Sequence, residues 1–242
     1  METAAGTVQD IASRLAAVRG RIAGAARRAG RDPAAVGLVA VCKTFPPDRI
    51  RPALDAGVTD LGENRVQEAE EKVAALPAGV RWHLVGHLQK NKINKALELF
   101  DLIHSVDRVE LGQAIGVRAA RGVRPAHVLL QVNLAEKESQ FGLAAAEVAA
   151  AAEALVSVEG LALDGLMCIA PEEDDPESTR PTFRRLAELF GDLEPVARRA
   201  GHPWRHLSMG MSNDYPVAVE EGATLVRVGR AIFGDRPSPA PV

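Results

Sequence analysis

The sequence predicts an α/β chain folded as a single (β/α)8 TIM barrel with an extra N-terminal helix. Eight short apolar runs rich in Val, Leu and Ile alternate with amphipathic stretches of helical spacing. These units recur about every 26 residues, a repeat that suits a compact parallel barrel and needs no second domain. Apolar strands separated by helices imply parallel strands covered on both faces, because each crossover helix packs against the sheet. A doubly wound open sheet is the alternative architecture.

The first 34 residues read as a helix packed on the barrel. Val8, Ile11, Leu15, Val18, Ile22 and Ala25 recur at three and four residues, with Arg14, Arg19, Arg21, Arg27 and Arg28 largely off that stripe as a solvated face. Gly30, Asp32 and Pro33 end it. The barrel follows over 35–234. Its strands are expected at 36–42, 59–61, 82–85, 102–106, 126–132, 161–169, 205–209 and 224–228. Helices are expected between them at 47–56, 65–75, 90–99, 108–121, 144–155, 180–199 and 214–221. The proline-rich end, 235–242, reads as a loose tail.

Composition excludes several classes of function. Lys and Arg number 29 against 32 Asp and Glu, a net charge of -3, so the basic excess of a nucleic-acid binder is missing. No apolar run approaches the roughly 18 residues of a membrane span, and the opening METAAGTVQD has neither a basic start nor an apolar stretch. The expectation is a cytoplasmic protein with no nucleic-acid or membrane partner, a monomer with a dimer as the alternative. Cys42 and Cys168 are too few for a disulfide framework, and each sits in an apolar run as a buried free thiol.

In a parallel barrel the chemistry sits at the carboxyl ends of the strands. Lys43 ends the first strand, before Phe45, Pro46 and Pro47. Two readings are open there: a rim lysine that snorkels to water, or a desolvated amine suited to Schiff-base chemistry. The last strand leads into Gly229, Arg230 and Ala231, whose backbone N–H groups lie where barrels bind phosphate. The seventh ends in Ser208, Gly210, Ser212 and Asn213, small residues that allow close approach of an anion or simply make a turn and cap. Together they argue for a phosphorylated ligand beside an amine.

Seven motifs in this order resemble the pyridoxal phosphate homeostasis proteins of the YggS/PROSC type, which share the fold type III barrel of alanine racemase. They are VCKT at 41–44, GENRVQE at 62–68, WHLVGHLQKNK at 82–92, HSVD at 104–107, GLMCI at 165–169, LSMGMSND at 207–214 and VRVGRAIFG at 226–234. The resemblance spans 36–234 and implies pyridoxal 5′-phosphate (PLP) held as an aldimine on Lys43. It also implies that Ser208 or Ser212, with the backbone of Gly229 and Arg230, holds the phosphate, beside Met209. Asn64 would lie near the phenolic oxygen and Arg227 would face the pyridine nitrogen. A guanidinium with a pKa above about 12 keeps that nitrogen unprotonated and the ring a poor electron sink. No catalytic residue or metal ligand is assigned. The implied function is intracellular PLP homeostasis: buffering the coenzyme, with delivery to apo-enzymes as the partner interaction. A racemase-like PLP enzyme and a Schiff-base aldolase are the alternatives. Alanine racemase carries a second, β-rich domain and a tyrosine base, whereas this chain ends after the eighth strand with Tyr215 its only tyrosine.

Two positions depart from the family pattern. Gln140 follows Ser139 where the family has a lysine, although Lys137 is near, and Arg65 replaces a tyrosine as a surface change at a helix start. His83 and His87 have the spacing of a zinc pair only on a helix; on a strand they would stand more than about 10 Å apart. They are expected to be structural or ring-packing histidines. Lys90, Lys92 and Lys95 read as a solvated helix face, and 172–177 as a solvated acidic loop.

Overall fold

The computed structural model describes residues 4–135 and 140–235. Among these, eight strands form one parallel sheet: β1 (Gly37–Val41), β2 (Asp60–Glu63), β3 (Arg81–Leu84), β4 (Leu102–Val106), β5 (Ala126–Asn133), β6 (Leu161–Cys168), β7 (His206–Ser208) and β8 (Leu225–Val228). The sheet closes on itself, since β8 pairs with β1 from Gly37↔Leu225 to Ala40↔Val228, and β4 with β5 at Ile103↔Val128. Closure satisfies both edges of every strand. The expected barrel is therefore the fold, and the open sheet is not. A two-residue strand, Leu143–Ala144, adds to β5 outside the ring.

The helices are α1 (Ala4–Arg28), α2 (Pro47–Asp55), α3 (Val66–Ala75), α4 (Ile93–Leu99), α5 (Val109–Ala119), α6 (Val148–Leu155), α7 (Arg180–Arg199), α8 (Tyr215–Glu220) and α9 (Arg230–Phe233). Two of them begin three or four residues later than the periodicity predicts. Single 3₁₀ turns at Lys90–Lys92 and Ala145–Glu147 tighten the entries to α4 and α6. In α7, buried Phe183, Leu186, Leu189, Leu193 and Ala197 make the inward stripe, and Pro181 sits in the first turn, where no N–H is needed.

The main core lies between strands and helices, while Val39, Leu102, Leu129, Met167 and Leu225 pack inside the ring. Ile11, Leu15, Val18, Ile22 and Ala25 of α1 are buried, and α1 rests on α2, α8 and α9. Arg19 does more than face water: it donates to the carbonyls of Ala56 (2.8 Å) and Gly57 (2.6 Å), which α2 leaves unpaired at its end. Of the proposed tail only Asp235 is described; residues 236–242 lie outside the described residues.

One irregularity is built in. Val128 faces Leu163 and Leu129 faces Gly165, so Asp164 is an extra residue in β6. Gly165 has φ +142°, and a Cβ there would stand 1.9 Å from the carbonyl oxygen of His206 on β7. Gly165→Ala should therefore destabilise the barrel by roughly 2 to 4 kcal/mol. Gly191→Ala, in α7 with nothing within 4 Å of the new Cβ, should stabilise it by up to about 1 kcal/mol. Urea unfolding midpoints of the two variants check the pair.

Candidate functional site

A cavity of about 860 Å³ opens at the carboxyl ends of the strands. Lys43, Asn64, Ser212, Arg227, Gly229 and Arg230 line it. Strand alternation explains how β1 delivers the amine. Val39 packs inside the ring, Val41 lines the cavity floor, and Lys43 is the next residue on the same side.

The segment around Lys43 is clamped from outside the barrel. Lys72 of α3, buried and ion-paired with Glu63 of β2, donates from Nζ to the carbonyl of Cys42 at 2.8 Å. Glu68 Oε2 accepts from the backbone N–H of Thr44 at 3.1 Å. Thr44 has φ +68°, a left-handed conformation that a β-branched residue rarely adopts. Burial pushes the Glu63 carboxyl up despite Lys72, and pushes the buried Cys42 thiol up. Cys168 is likewise a buried free thiol, pushed up by burial to about 12.

Asn64 is held by contact. A Cβ at Gly86 would stand 2.3 Å from the Asn64 carbonyl oxygen, so the β2 and β3 ends approach closely only with glycine there. On the other side, Ser212 Oγ accepts from the N–H groups of Gly229 (3.3 Å) and Ala231 (3.4 Å). Both bonds are long, and the three groups converge at the rim. Arg227 is buried, donating from Nη1 to Ser208 Oγ (2.6 Å) and from Nη2 to the Cys168 carbonyl (2.8 Å).

Two of the expected contact residues do not line the cavity. Ser208 is fully buried in the ring between Arg227 and His104, and Met209 is buried in the main core. Tyr215 is buried in α8 with Arg21 5.1 Å from its ring centre, and it too is absent from the lining. The acidic loop is more than a solvated turn, because Glu172 and Glu173 reach the cavity mouth and Glu172 accepts from Arg230 at 3.1 Å. Arg65 is an exposed residue at the start of α3, and Lys95 pairs with Glu70 and Glu98 on the outside.

Other contributors escape single-residue reading. His87 at the rim stacks on half-exposed Phe141 with centroids 4.0 Å apart and binds Asp107 Oδ2 through Nδ1 at 2.9 Å. His83 turns instead into the ring, toward His104 and Asp60. Gln140 donates to the Ile169 carbonyl at 2.8 Å and lines the cavity; Lys137 and Ser139 lie outside the described residues. Period-two placement of polar residues in apolar strands was the available signal for His83, His104 and Gln131.

The Lys72 clamp predicts a large effect from a single change. Lys72→Met leaves Glu63 buried without its cation and should cost about 3 kcal/mol, read by urea unfolding. A pH effect follows from His206, which burial drops to about 4. Its unfolded pKa is about 6.5, so its contribution is complete above that pH and is lost as pH falls toward 4. Buried Glu63 and Asp214, raised by burial, act in the opposite sense. Across this window His206→Gln should lose stability less steeply than the wild type, by up to about 1.4 kcal/mol per pH unit, measured by denaturant melts at successive pH values.

The alanine racemase N-terminal domain family matches residues 14–237. The pyridoxal phosphate homeostasis protein of Pseudomonas aeruginosa is 42% identical over 234 residues, covering 96% of this chain and 98% of that protein. The structure of PipY from Synechococcus elongatus with PLP bound superposes with a TM-score of 0.80 at 38% identity, over 93% of this chain and all of that one. An alanine racemase from Clostridium difficile shares the fold alone, with a TM-score of 0.70 at 14% identity and 58% of its chain covered. On a barrel whose strand ends carry Lys43, Asn64, Arg227 and Gly229 in one cavity, these likenesses make the chain a member of the pyridoxal phosphate homeostasis protein family.

Proposed function

We propose that the chain binds pyridoxal 5′-phosphate reversibly in the Lys43 cavity and serves PLP homeostasis in the cytoplasm, holding the coenzyme and passing it to apo-enzymes. The observation that carries this is the donor set of one cavity: an amine from β1, N–H groups converging on a serine hydroxyl, and a buried guanidinium. PLP has an aldehyde, a phosphate and a ring nitrogen to match them. PLP bound to PipY, at 38% identity over nearly the whole chain, supports the same reading.

When bound, the coenzyme supplies an aldehyde that condenses reversibly with an amine. Each residue then has a task. Lys43 presents that amine at the cavity floor, at a site whose backbone is fixed by Lys72 and Glu68. Ser212 and the N–H groups of Gly229 and Ala231 form the anion seat; the long bonds among them can be exchanged for bonds to phosphate oxygens. Arg227 offers its remaining N–H groups to the ring nitrogen as a cation that keeps its own proton. Asn64, fixed against Gly86, would hold the edge of the coenzyme ring.

Ser212, which lines the cavity, is in this reading the serine of the anion seat, while Ser208 and Met209 are buried outside its lining. Incubation with PLP should give the visible absorbance of an amine-linked coenzyme, and borohydride should lock the coenzyme onto Lys43 in the peptide map. Lys43→Ala should lose both, while Ser212→Ala should weaken binding about tenfold. A wild-type protein that stays colourless, or labelling spread over surface lysines, would overturn the reading.

A further inference from the structure

A chain of polar side chains runs through the ring beneath the cavity and has no part in the roles assigned so far. Asp60 Oδ1, at the start of β2, lies 3.0 Å from His83 Nε2 on β3. His83 Nδ1 lies 2.9 Å from His104 Nε2 on β4. His104 Nδ1 lies 2.9 Å from Ser208 Oγ, across the ring on β7, and Ser208 Oγ accepts from Arg227 Nη1 at 2.6 Å. His83, His104, Ser208 and Arg227 are all buried.

The direction of these bonds follows from the Arg227 end. Arg227 can only donate, and among the described residues the Ser208 hydroxyl meets no partner besides Arg227 and His104, so the arrangement that leaves no buried proton unbonded has Ser208 donating to His104 Nδ1. His104 then carries its proton on Nε2 and gives it to His83 Nδ1. That leaves His83 Nε2–H to donate to Asp60. The other end is consistent with this direction. The Asp60 carboxylate can only accept; hydrogen bonds from His83, Arg81 and Thr59 hold it ionised although burial opposes this. A second proton on either histidine would set two donors against each other along the chain. Burial, and after it the charge of Arg227, keep His104 neutral.

We propose that Asp60, His83, His104 and Ser208 form a one-way hydrogen-bond relay that positions Arg227, fixing which of its N–H groups face the cavity. The relay and the Cys168 carbonyl take two of those groups, so the guanidinium cannot turn without breaking a buried bond. What Arg227 then faces rests on the coenzyme reading of the cavity; the relay itself does not.

The test begins with coenzyme-free protein. Nitrogen-15 NMR of the imidazole rings should find His83 and His104 as neutral Nε2–H tautomers, and the Arg227 guanidinium protons should exchange slowly with water. His104→Phe removes both bonds, whereas His104→Gln keeps one acceptor and one donor. Ser208→Ala breaks the relay with a smaller change of volume. Arg227 protection should fall at least about tenfold in His104→Phe and Ser208→Ala and recover in His104→Gln. PLP affinity, followed by the bound coenzyme's absorbance, should fall about tenfold and recover in the same variants.

A merely structural role would move the unfolding midpoint in all three variants but leave Arg227 exchange and PLP affinity at their wild-type values. That result, or an Nδ1–H tautomer on either ring, overturns the proposal. If wild-type protein takes up no PLP at all, the coenzyme reading fails instead, and the tautomers and Arg227 exchange still decide the relay.

Discussion

The site depends on burying one permanent cation, Arg227, inside a closed ring of strands. A guanidinium taken out of water must have its N–H groups bonded, or it costs several kcal/mol. Among the described residues no carboxylate lies within ion-pair distance of it; its hydrogen bonds go to Ser208 Oγ and the Cys168 carbonyl. Burial lowers its pKa, and Cys168 and Asp214 act against that from nearby. The ring provides these partners only because it closes. β7 carries Ser208, β6 ends in Cys168, and β8 beside them carries Arg227 on the alternation that also puts Leu225 inside and Gly229 at the rim. Closure also brings the amine near the cation, since β8 pairs with β1 and Val39 is in register with Arg227.

A second arrangement, outside the ring, governs Lys43. The residue after it, Thr44, holds a left-handed backbone conformation that costs about 1 to 3 kcal/mol for a residue with a branched Cβ. Its N–H is taken by Glu68, and the carbonyl before Lys43 is taken by Lys72. Glu63 in turn neutralises Lys72 in the wall between β2 and α3. The buried pair adds little net stability, because desolvation offsets most of its attraction. Its effect is geometric: the peptide groups on both sides of Lys43 are fixed by charged groups that never enter the cavity.

Much of this was legible in the sequence, and the rest was hidden for physical reasons. Strand and helix periods gave the barrel, because covering a parallel sheet on both faces leaves a pattern that local composition must carry. Lys43, Ser212, Gly229 and Arg230 could be located as cavity residues because they lie at or just past strand ends, where the fold itself marks the position, whereas Asn64 and Arg227 were legible only through the family resemblance. Ser208 looked equivalent to Ser212 in the same motif. The difference is depth: Ser208 is the last residue of β7 and points into the ring, whereas Ser212 follows Gly210, whose φ of +90° turns the chain back over the rim. The relay was hidden more deeply. His83 was weighed against His87, its neighbour in sequence, while its partners are Asp60 and His104 on flanking strands. The bond from His104 to Ser208 spans the ring, and nothing in either motif announces it.

The two arrangements act on opposite sides of the strands, and that separation bears on the proposed function. A reversible carrier must form and break its covalent link without losing the rest of its grip on the ligand. Here the backbone on both sides of Lys43 is fixed by α3 and the end of β2, while the cation is fixed by residues inside the ring. The proposed phosphate seat belongs to a third place, the β7 and β8 ends. The bonds described for Arg227 and Ser212 go to Ser208, Cys168, Gly229 and Ala231, so a change at the amine need not disturb the proposed seats for the ring nitrogen and the phosphate. The character of Arg227 adds to this. A guanidinium retains its proton, and a ring nitrogen facing it stays neutral and withdraws electrons poorly. Such a site favours keeping the coenzyme over driving bond cleavage in an amino acid joined to it, which is the balance a holding protein requires.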